Sequence, residues 1–486
     1  MTQLPRLSRS SLAGLDGRPH VSLPPKGWDA QRAGIVHFGI GAFHRAHQAV
    51  FTQDAFAASG DDRWGIVGVT QRSDSVQRQL LPQDCLYSVL THSPEGVDLQ
   101  LIGSVRDVLY PAEQQAELDA LIAGPDVQVI SLTVTEKGYR RNAEGGLDLT
   151  DPAVAADLAG GAPASAIGRL VRGLQRRADG PGTPITVVSC DNLADNGRVL
   201  ERLVRDYCAA LPDGDELAAW IDGHVAFPCT MVDRIVPATT PADRELGEEL
   251  LGLHDEGLVS AEPFKQWVIE DRFVAERPAW ERVGAQIVQD VAPFEAMKLR
   301  ILNGSHSTLA YLGALRGYAT IVEAVGDPEL HRIAESLIQD DVIPVLTQPE
   351  GVDLPDYGRL VLGRYANPAL AHKTTQIAMD GSQKLPLRLL GTIRDNLAAG
   401  RMPSSAIAGV AGWMTYLATP SASGLDLPID DPMAATLSSV RGETDANALV
   451  DRLLGVQEVF GDDLPADERF VSEVRARVGE LLAVRR

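Results

Sequence analysis

A buried strand that runs directly into two closely spaced glycines constrains the fold more than any other feature of this sequence. Residues 34–38 form a short apolar run that is typical of a strand in a parallel sheet. Gly39-Ile40-Gly41 follow at once, and a helical pattern continues through Phe56. A strand, a tight glycine turn and a helix N-terminus form the anion-binding part of a dinucleotide-binding unit. Gly39 permits the turn and Gly41 lets the backbone approach a pyrophosphate, so the predicted cofactor-contacting turn is Gly39, Ile40, Gly41 and Ala42.

The glycine pattern departs from GxGxxG, because His44 stands at the position of the third glycine. A polar helix start that packs on the sheet is therefore the alternative interpretation. The next predicted strand, residues 64–70, ends about 30 residues after the glycines, where an acidic residue would hold the ribose of NAD. No acid stands directly at this strand end. Arg72 and Ser73 suit a 2′-phosphate and Asp74 suits a ribose, so these residues leave both NAD and NADP open.

Strands and helices alternate along the first half of the chain, which predicts a mostly parallel sheet. Further predicted strands are 87–91, 99–105, 127–134, 185–189, 226–235 and 267–271, with helices at 111–123, 165–178 and 196–211. Polar residues such as Lys137 and Asn192 follow these strands and should gather at the carboxyl edge of the sheet. Loop-surface and capping roles are the alternatives for both. Residues 1–32 are interpreted as a surface lead-in.

From Pro293 onward, helical periodicity replaces the strand alternation. Because 486 residues exceed one ordinary core, two domains are expected. The predicted fold is α/β: a Rossmann-like, mostly parallel sheet domain over 1–288, followed by a mainly α-helical domain over 289–486. The predicted helices of the second domain are 328–346, 354–365, 385–399, 404–418, 431–440, 445–459 and 467–484.

The first helix of the second domain carries four groups that can move a proton or hold an alcohol. They are Glu295, Lys298, Asn303 and His306. At the pitch of an α-helix these side chains fall within an arc of about 140°, so one face would present them to one small ligand. An ordinary amphipathic helix with its polar side in water is the alternative.

Composition and charge exclude several classes. The net charge of −22 argues against nucleic-acid binding. The four cysteines form no CxxC or Cys/His cluster, so neither a disulfide framework nor a metal site is predicted. No apolar run reaches the length of a membrane span or a signal-peptide core, so no membrane partner and a cytoplasmic location are expected. The oligomeric state stays open.

Eight segments in order along the chain carry a family resemblance. They are GIGAFHRAHQA, SLTVTEKGY, CDN, FPCTMVDRIVPAT, QWVIED, PFEAMKLRILNGSHSTLAYLG, QIAMDGSQKLP and VAGWM. Together they resemble the long-chain mannitol dehydrogenase family of metal-independent polyol and sugar-acid dehydrogenases. The resemblance runs from residue 39 to residue 414. The glycine turn of the family matches Gly39, Gly41 and Phe43, which adds Phe43 to the implied cofactor-binding residues, and the missing third glycine is a trait of this family.

The resemblance implies a role for each matching residue. Lys298 matches the general acid/base, Asn192 and Asn303 match two amides that polarise the substrate oxygen, and His306 matches the imidazole that positions substrate. Glu295 matches a glutamate linked with proton passage, and Asp233 matches a substrate-side aspartate, although a surface ion pair with Arg234 explains Asp233 equally well. Family members that oxidise mannitol carry an arginine where this chain has Gln376.

The implied reaction is the NAD-dependent interconversion of D-fructuronate and D-mannonate, with D-mannitol and D-fructose as the alternative pair. Two amides suit the developing oxyanion, and a lysine suits the proton transfer. A nucleotide-binding regulatory protein is the rival from another class. A uronate carboxylate needs local cations in so acidic a protein, and Lys384 and Arg388 are the candidates. A solvated helix start is the alternative for this pair.

Overall fold

The computed structural model describes residues 4–368 and 372–484. The chain divides into two compact units, Met1–Val291 and Ala292–Arg486. The first unit is built around a parallel sheet and the second is mainly helical, as the sequence predicted.

A six-stranded sheet forms the centre of the first unit. Its order is β6–β3–β2–β7–β8–β9, and each neighbouring pair is parallel. The chain builds outward from β2 to β6, then returns beside β2 with β7 and builds the other half. This reversal between β2 and β7 is the point at which doubly wound sheets bind nucleotides. The strands of the first unit are β1 Val21–Ser22, β2 Ala33–Phe38, β3 Gly65–Val69, β4 Tyr87–Ser93, β5 Gly96–Ile102, β6 Val105–Leu109, β7 Val129–Leu132, β8 Ile185–Ser189, β9 Val225–Ala226, β10 Thr230–Asp233, β11 Val259–Ala261, β12 Gln266–Glu270 and β13 Gln286–Val288.

Helices cover both faces of this sheet, because its strands are apolar on both sides. Val36 and Phe38 pack in one core with Leu118, whereas Ile35 packs in a second core with Phe51. The α-helices of this unit are α1 Ala42–Ala46, α2 Gln48–Ser59, α3 Ser75–Leu80, α4 Pro111–Ala123, α5 Pro152–Leu158, α6 Ala166–Asp179, α7 Asn196–Ala209, α8 Gly214–His224 and α9 Pro241–Leu251. Its 3₁₀ helices are Arg9–Leu15, Trp28–Ala30, Asp62–Trp64, Leu81–Gln83, Glu136–Tyr139 and Trp280–Val283.

The N-terminal segment is more ordered than the sequence suggested. The prediction that residues 1–32 form a surface lead-in is wrong for the described part, because Leu7, Leu15 and Trp28 are buried. Within that segment β1 pairs with β5 in a second sheet, of order β1–β5–β4–β11. A third sheet has the order β10–β12–β13.

One predicted strand, 99–105, is two strands that belong to different sheets. The chain leaves β5 at Ile102 and enters β6 at Val105. Between them a Cβ at Gly103 would lie 2.5 Å from the ring of Trp28. Trp28, from the N-terminal segment, therefore packs against the point at which the chain passes from the second sheet into the six-stranded sheet. Sequence periodicity could not show this, because it depends on a residue far away in the chain.

The second unit is a helical assembly in which three helices contain π-helical segments: Lys298–Asn303, Leu337–Val342 and Pro386–Leu390. Its α-helices are α10 Ala292–Met297, α11 Gly304–Leu315, α12 Ile321–Gly326, α13 Pro328–Ser336, α14 Leu354–Tyr365, α15 Thr374–Ile377, α16 Gly381–Leu385, α17 Gly391–Ala398, α18 Ser404–Ala418, α19 Ala434–Leu437, α20 Ala446–Leu454, α21 Gln457–Phe460, α22 Asp463–Ala466 and α23 Glu468–Ala483. Short 3₁₀ helices lie at Ile343–Val345 and Ser438–Val440, and β14 Ser421–Ala422 pairs with β15 Leu425–Asp426.

Side-chain caps fix where several of these helices begin. Asp327, Asp353 and Asp467 each accept a hydrogen bond from a backbone N–H of the first turn. Thr320 and Glu323 form a capping box at the start of α12. In the long predicted helices 328–346 and 385–399, the continuous pattern of the sequence is interrupted by π-helical turns instead of loops.

Candidate active site

The glycine turn follows β2 at the reversal of the sheet. Gly39 has φ +96, and a Cβ there would lie 2.2 Å from the carbonyl oxygen of Thr133. Its N–H donates to Val69 O at 2.8 Å, and Gly41 N–H donates to Gly39 O at 2.6 Å. Both the backbone angle and the contact with Thr133 exclude any other residue at Gly39.

Gly41 differs from Gly39, because a Cβ at Gly41 would meet only Gly39 O, at 3.8 Å. The protein itself therefore does not require a glycine there, whereas a pyrophosphate that approaches the backbone does. Ile40 packs against Gly68 of β3, and Ala42 begins α1. Phe43 stacks on His47 with ring centroids 5.0 Å apart. The turn thus fits a dinucleotide by its position at the sheet reversal and by its backbone.

The position of the missing third glycine is filled by a histidine pair. His44 stacks on His37 with ring centroids 3.4 Å apart, and both side chains are fully buried. Burial lowers the pKa of His37 to about 3 and holds the pKa of His44 well below its usual range. Both rings are therefore neutral near pH 7. The interpretation of His44 as a polar helix start packed on the sheet agrees with this burial.

The segment after β3 carries the predicted ribose-binding residues. Arg72 is exposed, and Asp74 forms an ion pair with Arg78 at 2.9 Å. Ser73 Oγ lies 2.9 Å from Ser75 Oγ. The described side chains of this segment thus include both a cation and an acid, and both cofactor alternatives stay open at this point.

Asn192 lies exposed in the loop after β8, next to a carboxylate that the sequence interpretation missed. Asp191 is buried and accepts hydrogen bonds from Val134 N at 3.0 Å, Thr135 N at 2.7 Å and Tyr139 Oη at 2.8 Å. Burial raises the pKa of Asp191, and these hydrogen bonds oppose that rise. Asp191 ties the loop after β7 to the loop after β8 and so fixes the backbone on which Asn192 stands. The sequence feature that could have revealed Asp191 is Cys190-Asp191-Asn192, which directly follows the predicted strand 185–189.

Asp233 is buried at the end of β10, where it pairs in register with Gln266. The alternative of a surface ion pair with Arg234 is wrong, because Arg234 is buried as well. The guanidinium of Arg234 donates to the carbonyl oxygens of Glu262 and Ala46. Burial lowers the pKa of Arg234 to about 10. Arg234 therefore holds backbone segments of the first unit together.

The four candidate catalytic residues of the second unit lie on one continuous helix that changes its winding. Glu295 lies in α10, Lys298 opens the π-helical segment, Asn303 closes it and His306 lies in α11. In a regular α-helix, Lys298 and Asn303 would lie about 140° apart around the axis. A π-helical turn joins residues i and i+5, which is the spacing of this pair. The wider turn therefore brings the side chains of Lys298 and Asn303 closer to one face than a regular α-helix would.

Close packing accompanies this irregular turn. Gly304, directly after it, approaches the helix that carries Arg388 so closely that a Cβ would lie 2.9 Å from Arg388 O. Ser305 Oγ donates to Ile301 O at 2.6 Å, and the hydroxyl of Tyr365 donates to Leu302 O. Two hydroxyls thus bond to carbonyl groups of the π-helical segment, where the regular helix ladder is shifted.

Two of the candidate catalytic side chains on this helix each have a nitrogen that is buried without a hydrogen-bond partner among residues 4–368 and 372–484. They are Asn303 Nδ2 and His306 Nε2. Buried amide and imidazole nitrogens are normally hydrogen-bonded in proteins. Lys298, at the start of the same π-helical segment, is also buried. An oxygen-rich ligand would satisfy both orphan atoms.

The surroundings of His306 are cationic and aromatic. Its ring stacks on Tyr365 with centroids 4.9 Å apart, and the ring of His372 lies 5.7 Å away. Burial and the neighbouring His372, Arg388, Arg364 and Lys384 hold the pKa of His306 well below its usual range. His306 is therefore a neutral imidazole, able to donate from one nitrogen and accept at the other.

The two predicted carboxylate-binding cations are both partly held by the protein. Arg388 donates to Ser307 Oγ of α11 at 2.9 Å. Lys384 donates to Met379 O at 2.5 Å, and its ammonium lies 3.8 Å from an oxygen of Asp380. Arg388 thus contacts the residue that follows His306, whereas Lys384 is bonded to the turn before its own helix.

The described part of the chain lacks both a cluster of potential metal ligands and a helix that could cross a membrane. Outside 1–3, 369–371 and 485–486, no group of three or more His, Cys, Asp or Glu side chains is placed to hold a metal ion. None of the described helices combines the length and apolar character needed to span a membrane.

Comparison with known proteins identifies the family. Residues 33–282 match the mannitol dehydrogenase Rossmann domain, and residues 290–482 match the mannitol dehydrogenase C-terminal domain. D-mannonate oxidoreductase of Escherichia coli (strain K12) is 45% identical over 463 residues, which are 93% of this chain and 94% of the relative. Among solved structures, the Pseudomonas fluorescens mannitol 2-dehydrogenase ternary complex with NAD and D-mannitol matches with a TM-score of 0.84 and 36% identity, covering 98% of this chain and 96% of that chain. Substrate-free D-sorbitol dehydrogenase matches with a TM-score of 0.89 and 32% identity, covering 98% of both chains. The family resemblance read from the sequence is confirmed: the chain belongs to the mannitol dehydrogenase family and is a dehydrogenase that acts on CH–OH groups.

Proposed function

We propose that this protein is an NAD-dependent oxidoreductase that interconverts D-fructuronate and D-mannonate. The 45% identical relative from E. coli is named for D-mannonate, and a related mannitol 2-dehydrogenase was solved with NAD. We assign dinucleotide binding to Gly39, Ile40 and Gly41 of the glycine turn and to Ala42 and Phe43, which follow it. Arg72 is the proposed neighbour of the adenosine ribose. A bound nicotinamide would supply or accept the hydride.

The residues of the second unit would manage the proton and the oxygen. We assign the proton transfer to the Lys298 ammonium, with Glu295 one helical turn earlier as the proton passage. Asn303 Nδ2 would donate to the substrate oxygen on which negative charge develops. His306, neutral and aromatic-stacked, would orient a neighbouring hydroxyl. The family resemblance also assigns Asn192 and Asp233 of the first unit to substrate, and those assignments stay predictions.

One observation carries the choice of a sugar acid over a polyol. His306 lies among Arg388, Arg364 and Lys384. Burial lowers the pKa of His306 most, His372 comes next, and the charges of these three cations lower it further. This concentration of cations occurs in a protein of net charge −22. A neutral polyol gains little from such surroundings, whereas a carboxylate gains charge-assisted hydrogen bonds.

The second candidate is the interconversion of D-mannitol and D-fructose. It is favoured by the likeness to mannitol 2-dehydrogenase over 98% of this chain. Against it stands Gln376, at the position where mannitol-oxidising members of the resembled family carry an arginine. A protein that binds a nucleotide only as a sensor would not need the buried Lys298 beside orphan donors.

The test is a panel of four substrates, D-fructuronate, D-tagaturonate, D-fructose and D-mannitol, each assayed with both NAD(H) and NADP(H). We expect the highest kcat/KM for D-fructuronate with NADH. Its advantage over D-fructose should be at least roughly tenfold, because a charged hydrogen bond contributes about 1.5–3 kcal/mol. Equal or faster turnover of D-fructose would favour the mannitol dehydrogenase assignment.

A matched pair of variants separates charge from packing. Arg388→Met should erase most of the preference for D-fructuronate while sparing D-fructose, because the methionine keeps apolar bulk without the charge. Ser307→Ala removes the hydroxyl to which Arg388 donates and leaves the guanidinium in place. The preference should therefore survive in Ser307→Ala. Loss of the preference in both variants would assign the effect to helix packing.

A further inference from the structure

His37 bonds to residues of the neighbouring strand segment directly beneath the glycine turn. The imidazole lies on β2, fully buried, and its Nδ1 is 2.8 Å from Ser131 Oγ of β7. Its Nε2 is 2.8 Å from Thr133 Oγ1, just after β7, and 3.3 Å from Gly39 O. One side chain thus connects the two halves of the sheet at the point where their order reverses.

The hydrogen-bond partners favour one tautomer of His37, because Gly39 O, 3.3 Å from Nε2, can only accept a hydrogen bond. Thr133 Oγ1 donates its single hydrogen to Gly39 O at 2.8 Å. With that hydrogen on Gly39 O, the Thr133 oxygen accepts from His37, and we therefore assign the ring proton to His37 Nε2. His37 Nδ1 is unprotonated and accepts from the hydroxyl of Ser131. The neutral ring that burial enforces is the form that this arrangement requires.

These hydrogen bonds end on the carbonyl oxygen of Gly39, in the peptide group between Gly39 and Ile40. Gly39 O accepts from the Thr133 hydroxyl and from Gly41 N–H at 2.6 Å. Because a peptide group is planar, holding this carbonyl also fixes the orientation of the N–H of Ile40. His44 stacks flat on the His37 ring and limits its rotation.

We propose that His37 and Thr133 are positioning residues that hold the Gly39–Gly41 turn in its cofactor-binding geometry before a dinucleotide arrives, and that His44 fixes the plane of His37. This inference rests on the proposed dinucleotide site at the turn. A turn that is ordered in advance loses less conformational entropy when the ligand binds, so the affinity rises without any new contact to the ligand. The histidine at the third-glycine position then has a function, because it braces the residue that orders the turn.

Two substitutions at Thr133 separate the hydroxyl from the packing of the side chain. Thr133→Val keeps the shape and removes the hydroxyl, whereas Thr133→Ser keeps the hydroxyl and removes the methyl group. We expect Thr133→Val to weaken NADH binding roughly tenfold, the effect of leaving a polar group unsatisfied. Thr133→Ser should bind close to wild type. The kinetic change should fall on the KM for the dinucleotide and not on kcat.

A second measurement does not depend on the cofactor. Amide hydrogen exchange of the peptide that covers residues 38–42, in the cofactor-free protein, should be faster in Thr133→Val and unchanged in Thr133→Ser. His37→Leu should reproduce the Thr133→Val pattern, and the Thr133 pair keeps the test decisive if that variant does not fold. A wild-type protein that binds no dinucleotide would remove the proposed function, while the exchange data would still test the turn.

Two results would overturn the inference. Unchanged exchange and unchanged NADH affinity in Thr133→Val would show that the turn holds its geometry without the hydroxyl. Equal weakening in Thr133→Ser would assign the effect to packing of the methyl group.

Discussion

The glycine turn of the first unit and the π-helical segment of the second satisfy their polar groups in opposite ways. At the turn, His37, Thr133 and Gly39 bond to one another. On the π-helical segment and the residues after it, Asn303 Nδ2 and His306 Nε2 are buried without partners among the described residues. His37, Thr133 and Gly39 thus satisfy one another in the protein alone, although both ring nitrogens of the neighbouring His44 are buried without partners among the described residues. The second region leaves polar nitrogens that a ligand could bind.

This difference indicates how the two regions recognise their ligands. The bonds that His37 and Thr133 make at the turn can order it in advance, because they end on the carbonyl oxygen of Gly39, which a phosphate does not need. Side chains that must stabilise charge on a reacting oxygen need free hydrogen-bonding capacity. Each orphan group costs about 1–3 kcal/mol of stability in the absence of a ligand. Stability is therefore given up on the candidate catalytic helix, residues 292–315, as the proposed chemistry would require.

The largest expected effect is the loss of Lys298. Lys298→Ala should lower kcat by about 10²–10⁴-fold, the usual contribution of general acid/base catalysis, while NADH binding stays near wild type. Steady-state kinetics and a fluorescence titration with NADH measure the two effects. Arg300→Ala is the matched control. It also removes a cation from the π-helical segment, but Arg300 forms an ion pair with Asp395 and has no proposed catalytic role. Joint collapse of binding and rate in Lys298→Ala would instead indicate a structural lysine.

The second prediction contrasts two buried asparagines of the second unit. Asn303→Ala should lower kcat by about 10²–10³-fold, because it removes a donor aimed at the developing oxyanion. Its melting temperature should stay level or rise, because the lost amide nitrogen had no described partner. Asn396 is the control, because its Nδ2 donates to Asp341 O at 2.7 Å and Thr392 O at 2.9 Å.

The asparagine comparison needs both measurements on both variants. Asn396→Ala should lower the melting temperature and leave the substrate kinetics of the folded enzyme close to wild type. A reversed pattern, in which Asn303→Ala is the less stable variant and retains kcat, would assign Asn303 to structure.

The sequence predicted the turn because its cause is local. Gly39 follows an apolar strand directly, and a positive φ at that place needs a glycine. The bonds that His37 makes could not be predicted, because Ser131 and Thr133 lie 94 and 96 positions further along the chain. Only the pairing of β2 with β7 brings them together.

The sequence predicted which residues lie on the candidate catalytic helix, but it did not predict the π-helical turn within that helix. The spacing of Lys298, Asn303 and His306 placed them on one helix, as the structure has them. The segment KLRILN consists mostly of good helix formers, so its composition gives no sign of a π-helical turn. The π-helical winding is accompanied by contacts from distant residues, such as the hydrogen bond of Tyr365 to Leu302 O. Intrinsic propensity could not reveal them.

The third prediction contrasts the two glycines of the turn. Gly39→Ala should lower the free energy of unfolding by at least ~1–2 kcal/mol, because alanine resists a positive φ and its Cβ would contact Thr133 O. Gly41→Ala should leave stability near wild type and weaken NADH binding, because its Cβ would occupy space that only a ligand requires. Urea unfolding and an NADH titration on both variants measure this. Equal stability of the two would mean that the turn is not strained at Gly39.

The smallest predicted effect concerns pH and the histidine beneath the turn. The pKa of His37 is lowered by burial from 6.5 to about 3 in the folded protein, whereas the unfolded chain regains the ordinary value. Between these values the unfolded state binds more protons, so the free energy of unfolding must fall as the pH falls below about 6.5. One such group contributes a slope of up to about 1.4 kcal/mol per pH unit. His44, whose pKa is also lowered, adds to the same trend.

His37→Gln isolates this contribution, because glutamine offers a donor and an acceptor but does not titrate. Urea unfolding of the cofactor-free protein between about pH 5 and 7 should give a shallower loss of stability in the variant than in wild type, by close to one proton. Above about pH 7 the two stabilities should run parallel, because neither folded nor unfolded His37 then carries a proton. Identical slopes over the acidic range would mean that His37 takes up its proton without unfolding. The bonds to Ser131 and Thr133 would then tolerate a charged ring. Only the unpartnered nitrogens of Asn303 and His306 would then still distinguish the candidate catalytic helix from the glycine turn.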